Sequence, residues 1–169
     1  MDFKKITLPD VGALRPYLRG QYRSCDYSVL GVFMWADRFG YEYNISDGVL
    51  FMRERSRSGG EYDYLLPLGE GSLCERVQRL RCAAGEKLTM SLVPEAALAE
   101  LRQEFNFTAV EEPDIADYMY RAEDLAYLAG KKYSKKRNLI HQFEKLYPDF
   151  SLEPITKDNA HMIEKCCEH

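Results

Sequence analysis

The period of apolar and polar residues changes several times along the chain, and each change marks an element. Phe3 to Leu8 alternates as a short strand, after which Asp10 can cap a helix carrying Val11, Leu14 and Leu18 on one side. Ser28 can open a second helix. In it Val29, Val32, Phe33, Trp35, Ala36 and Phe39 are apolar on more than one face, which predicts a largely buried helix with Trp35 in the core. Tyr41 to Ile45 and Val49 to Arg53 flank Ser46-Asp47-Gly48, and an Asp-Gly pair between two such runs predicts a β-hairpin. Glu54 to Glu61 lacks periodicity and reads as an exposed connection, with Arg53, Arg55 and Arg57 facing solvent, before a third strand at Tyr62 to Leu66. Ser72 caps a helix with Leu73, Val77 and Leu80 in register that ends before Gly85. Then come a strand at Lys87 to Val93, a helix from Glu95 to Phe105 with Pro94 at its first turn, and a strand at Phe107 to Val110.

The character of the chain changes at Asp117. Tyr118 and Tyr120 alternate as a strand would, and Glu123 to Ala129 reads helical and stops at Gly130. A second helix follows at once. Lys131, Lys132, Lys135, Lys136 and Arg137 crowd its start, while Ile140, Phe143, Leu146 and Tyr147 recur at three and four residue steps, so one side packs and the other is wet. The chain then begins again: FSLEPITKD from Phe150 resembles FKKITLPD from Phe3, each with a strand-like start, Ile-Thr and an Asp placed to cap a helix. On this reading His161 to His169 opens the first helix of a second domain, and the chain stops inside it.

The run Tyr120, Asp124-Leu125, Leu128, Gly130-Lys131-Lys132-Tyr133, Lys136-Arg137-Asn138 and Phe143 resembles the C-terminal domain of bacterial phosphatidylglycerol lysyltransferases and their soluble relatives. The resemblance implies an α/β (α+β) fold: a GNAT-like, mixed and largely antiparallel sheet flanked by helices, followed by the start of a second such repeat. The order of elements counted above is that of a GNAT acyltransferase. It divides the chain into a first GNAT-like domain over 1–112, a connecting strand and helices over 113–149, and the truncated start of a second domain over 150–169. By resemblance the parent protein is an acyl- or aminoacyl-transferase, using a coenzyme A thioester or aminoacyl-tRNA as donor, and the reaction groove involves the second domain in cis. Residues 1–169 alone are then inactive. The other reading is a non-catalytic, degenerate GNAT scaffold or a module that binds an anionic ligand.

Composition narrows this further. With 46% hydrophobic and 12% aromatic residues, 169 residues can bury a core. The longest apolar stretch, Val29 to Ala36, is far short of the roughly 20 residues that span a bilayer, and Met1-Asp2-Phe3-Lys4 does not begin a signal peptide, so a cytoplasmic location is expected. A net charge of -4 argues against a surface built wholly to coat nucleic acid and leaves the 131–137 patch as the candidate contact. Five scattered cysteines without a CxxC pair suggest neither a disulfide framework nor a metal site.

Two groups of residues are candidates for chemistry. In a GNAT domain the turn after the fourth strand offers N–H groups at a helix N-terminus to the pyrophosphate of coenzyme A. That turn is Leu66 to Ser72, where Gly69 and Gly71 fall on the two small positions of the family pattern and Ser72 caps the helix, but Leu66 departs from the pattern and Glu70 puts a carboxylate where phosphate would sit. The second group is Lys131, Lys132, Lys135, Lys136, Arg137 and Asn138, which can contact tRNA phosphates or an anionic lipid head group, pin the helix across a junction by hydrogen bonds, or form a solvated face. His141 has no placed partner, and no HExxH, GxSxG or phosphate-binding P-loop motif is present. Catalytic residues are not identified.

Overall fold

The computed structural model describes residues 1–20, 22, 24–57, 59–85 and 87–163. Two compact units make up the chain, Met1–Asp117 and Tyr118–His169.

The first unit is built around an antiparallel hairpin. Asp47 (φ 46°) and Gly48 (φ 72°) form its two-residue turn in the left-handed conformations that Asp-Gly favours. They join β2 (Glu42–Ser46) to β3 (Val49–Arg55), so that Ser46 faces Val49 and Glu42 faces Arg53. β1 (Lys4–Lys5) pairs with β2, while β4 (Tyr62–Tyr64) and β5 (Leu68–Gly69) pair with opposite ends of β3, all antiparallel. The expected α+β architecture is found.

β3 is buried on both faces. Leu50 and Met52 join a cluster with Leu14, Leu18, Val32 and Ala36, whereas Val49 and Phe51 pack with Leu80 on the other side. Leu14 belongs to α1 (Val11–Leu14), Val32 and Ala36 to α2 (Val29–Phe39), and Leu80 to α3 (Leu73–Ala84), so helices cover both faces of the sheet. Each fully buried Leu or Phe here contributes on the order of 1.5–3 kcal/mol. α2 starts where Ser28 accepts the Gly31 N–H and stops at Gly40, whose φ of 65° suits a residue without a side chain. α4 (Glu95–Leu101) packs against α3 and buries Ala97 and Leu101.

Several expected elements are shorter or absent, because strands need partners that local pattern does not reveal. The first strand is cut to Lys4–Lys5, since Thr7 and Asp10 form a capping box that turns the chain into a 3-10 turn at Leu8–Asp10. The third expected strand ends at Tyr64 rather than Leu66, and the helix after Pro94 stops at Leu101. Lys87 to Val93 contributes one parallel bridge, Tyr64 to Met90, and Leu92 at φ 54° breaks the run beyond it. Phe107 to Val110 pairs with nothing among the described residues; Phe107 packs on the core, and Val110 is exposed. Trp35 is not core: it is 50% exposed and leans on Phe39. Arg53 and Arg57 are not free surface cations either. Arg53 pairs with Glu42 at 2.6 Å and lies against the rings of Phe3 and Tyr62, and Arg57 pairs with buried Glu54 at 2.7 Å.

The second unit contains α5 (Ala122–Tyr127), a 3-10 turn at Lys131–Tyr133 and α6 (Ser134–Leu146). Tyr118 and Tyr120 are not in a strand, and Tyr118 is 89% exposed. α5 ends at Leu128, which takes the left-handed conformation (φ 47°) that Gly130 was expected to supply. No described residue from 118 to 163 is buried. The apolar stripe of α6 is formed but does not pack as expected: Ile140, Phe143, Leu146 and Tyr147 are all exposed, with the Phe143 ring tilted against Tyr147 and edge-on to Phe150. The strand-like start after Phe150 is not a strand. The helix expected from His161 is seen at 161–163, and its remainder lies outside the described residues.

Candidate functional site

The turn between β4 and α3 closes on itself. β5 lies so near the hairpin turn that a Cβ on Gly69 would sit 2.2 Å from the Gly48 carbonyl oxygen, so only glycine fits there. The Glu70 N–H donates to that same carbonyl at 3.1 Å. Ser72 then caps α3 in a reciprocal box: its hydroxyl accepts the Glu75 N–H at 3.2 Å, and its own N–H donates to Glu75 Oε2 at 2.7 Å. This last bond holds the Glu75 carboxyl below the usual carboxylate range. Beneath the turn, the buried guanidinium of Arg76 donates to the carbonyls of Pro67 (2.9 Å), Gly69 (3.1 Å) and Gly71. Gly69, Gly71 and Ser72 are therefore brought together, with the N–H groups of Glu70, Ser72 and Glu75 engaged inside the chain. The first turn of α3 carries the Glu75 carboxylate, which satisfies the same positive helix end that a phosphate would seek.

The basic segment is divided in its commitments. Arg137 Nη1 donates to the carbonyls of Leu128 and Gly130 (2.9 Å for the latter), tying α6 to the turn that ends α5. Lys132 Nζ donates to Asp124 at 3.0 Å, which raises its pKa, and lies 4.8 Å from the Tyr133 ring centroid. Lys131, Lys135 and Lys136 are exposed, and their side chains have no hydrogen-bond or ion-pair partner among the described residues, nor has that of Asn138. Of the six candidate residues, two hold the local fold and three ammonium groups stand free in water. His141 and Tyr120 are exposed as well.

Pattern reading missed two polar clusters. On β3, Glu54 is 1% exposed and accepts from Arg57 (2.7 Å) and from the Ser91 hydroxyl (2.8 Å), while neighbouring buried Asp63 accepts from the Ser56 hydroxyl and the Arg57 N–H. The signal was register, since alternation puts Glu54 on the face of Leu50 and Met52. The second cluster had no signal, because 92 residues separate Cys25 from Asp117. Cys25 donates to Asp117 through its N–H (2.9 Å) and its thiol (3.0 Å). Asp26 completes a group whose ligand atoms lie within 4.8 Å of one another. The Asp117 carboxylate, before other causes, pushes the Cys25 thiol up to about 11, and a thiol held protonated is a poor metal ligand. No helix among the described residues is long and apolar enough to cross a membrane.

Comparison with known proteins agrees with the fold. A crystal structure of a conserved protein of unknown function from Bacteroides thetaiotaomicron is similar at TM-score 0.76 and 29% identity, over 99% of this chain and 57% of that one. The chain thus spans a little over half the length of that relative. No functionally curated protein matches the sequence. The family model described as "Phosphatidylglycerol lysyltransferase, C-terminal" matches residues 19–168, nearly the whole length, and the chain belongs to that family.

Proposed function

We propose that this chain is the N-terminal part of an acyl- or aminoacyl-transferase with tandem GNAT-like domains, acting in the cytoplasm. Residues 1–112 form the first domain, 113–149 the connection and 150–169 the opening of the second. The observation that carries the reading is the family match over 19–168, which includes the whole basic segment. Transfer to an amine or hydroxyl from an activated ester needs positioning and backbone donors more than reactive side chains, so it is compatible with a first domain that lacks an evident nucleophile.

Two structural features support a second repeat. Thr7 and Thr156 make matching boxes: the Thr7 N–H donates to Asp10 Oδ2 at 2.9 Å, and the Thr156 N–H to Asn159 Oδ1 at 2.7 Å, each three residues on. Asn159, rather than Asp158, is the counterpart of Asp10. The exposed stripe on α6 offers a seat for such a domain in the parent, in line with a relative that is longer than this chain.

Within this reading the two candidate sites divide the work. The closed turn at 66–72 supports a scaffolding role for the first domain, since the N–H groups of Glu70, Ser72 and Glu75 already have partners and Glu70 and Glu75 repel phosphate. The free ammonium groups of Lys131, Lys135 and Lys136 are suited to the phosphates of an anionic donor, aminoacyl-tRNA before coenzyme A, or to an anionic lipid. Filter binding of aminoacyl-tRNA and calorimetry with coenzyme A, on the chain and on Lys131→Ala/Lys135→Ala/Lys136→Ala, test this. The expected result is salt-sensitive tRNA binding that falls about tenfold or more in the triple variant, with no heat from coenzyme A. Equal tRNA binding by a folded triple variant would sink the assignment.

A further inference from the structure

A separate feature of the first unit is unrelated to either candidate site. The Arg15 N–H donates to the Val11 carbonyl (3.1 Å) at the end of α1, and the Leu18 N–H to the Leu14 carbonyl (3.2 Å) in the turn beyond it, with Arg19 in the bend that follows. Leu14 and Leu18 belong to the core, whereas Arg15 and Arg19 are exposed. Along α2, Val29 and Phe33 pack on the core from one side and on the other line an open groove of about 390 Å³ shared with Val11, Leu30 and the two arginines.

We propose that this groove binds an aliphatic carboxylate, with the chain against Val11, Val29, Leu30 and Phe33 and the head between Arg15 and Arg19. Charge complementarity carries the argument. The chain has a net charge of -4, yet no Asp or Glu lines the groove. Arg53, Arg57, Arg79 and Arg121 pair with carboxylates, and Arg76 and Arg137 with carbonyls. Arg15 and Arg19, like Arg38, Arg55, Arg81 and Arg102, have neither kind of partner among the described residues, and these two line the apolar groove. Two unpaired guanidinium groups beside apolar surface present planar donor forks that match a carboxylate, while the groove takes the alkyl chain out of water. Neither half suffices: acetate lacks the chain and an alcohol lacks the charge.

Calorimetry with decanoate, decan-1-ol and acetate, each below micelle concentration, tests the proposal on the chain as it stands. Decanoate should bind, decan-1-ol about tenfold more weakly, and acetate not measurably, because charge-assisted hydrogen bonds distinguish the first two. Arg15→Gln/Arg19→Gln should weaken decanoate about tenfold and leave decan-1-ol unchanged. Leu30→Asp should weaken both. All three side chains are exposed, so thermal unfolding should stay near that of the unaltered chain. Equal binding of decanoate and decan-1-ol, or decanoate binding that survives the double arginine change, would overturn it.

Discussion

Arg76 and Arg137 do the same task in the two units, each donating to carbonyls of the turn that leads into its own helix, but they do it in different surroundings. Arg76 is buried under the 66–72 turn and reaches three carbonyls, with the helix cap and the sheet edge closing around it. Arg137 is half-exposed, reaches two, and belongs to a unit in which no described residue is buried. The contrast separates a turn that is finished from a segment that is only locally tied. A finished turn has its Glu70, Ser72 and Glu75 N–H groups already engaged; a tied helix with free lysines and an uncovered apolar stripe has both charge and surface to spare.

The largest expected effect follows from that difference in burial. Arg76→Ala should lower the unfolding free energy by about 3 kcal/mol, since buried carbonyls lose a charged donor and the space is left unfilled. Urea denaturation of the first unit's signal checks this, and a loss under 1 kcal/mol would mean the turn holds without its clamp. Arg137→Ala should cost about 1 kcal/mol and act locally, raising amide exchange in α6 while leaving β3 protected. Faster exchange throughout the chain would show the second unit to be less separate energetically than its packing implies.

Acid should affect the two units differently. Asp10, held low first by the Thr7 hydroxyl, and Glu75, held low first by the Ser72 N–H, are carboxylates in the caps of the first unit. Their folded pKa values lie below the unfolded ones, so the stability they contribute is complete above the ordinary carboxylate value of about 4 and is lost as pH falls through the folded values. The matching box of the second unit uses Asn159, which does not titrate. Exchange at Ser72, whose N–H donates to the Glu75 carboxylate, should therefore rise on acidification below pH 4, beyond the intrinsic pH trend, more than exchange at Thr156. Parallel behaviour at the two caps would contradict this.

The smallest effect concerns Cys25, tied to the last residue of the first unit. With Asp117 keeping its thiol protonated, alkylation of Cys25 at pH 8 should be slow, and Asp117→Ala should speed it several-fold by peptide mass spectrometry. An unchanged rate would show that the hydrogen bond does not govern the thiol.

What could be seen in the sequence was what local chemistry decides. Asp47-Gly48 sets its own turn, and Ser72 caps its own helix, so both were legible to the residue. The stripe of α6 was legible as a stripe, but not its exposure, because burial depends on what lies opposite. Phe107 to Val110 and Tyr118 to Tyr120 have strand-like composition and find no partner strand among the described residues. Trp35 was misplaced for a related reason: α2 is apolar on more than one face, and only the packing of Val32 and Ala36 shows which side faces inward. At the candidate sites, the lysines and glycines could be named from pattern, whereas the part played by Arg76 could not, since nothing in the spacing Pro67, Gly69, Gly71 announces that one side chain will collect their carbonyls.

The central claim, a closed turn and an open basic segment, is tested most directly by amide and lysine side-chain NMR shifts on titration with coenzyme A and with an aminoacylated tRNA acceptor-stem helix. The account predicts that the RNA shifts Lys131, Lys135 and Lys136 while Gly69 to Glu75 stay still with either ligand. Movement of the Glu70, Ser72 and Glu75 amides on adding coenzyme A, with the lysines unaffected by RNA, would contradict it.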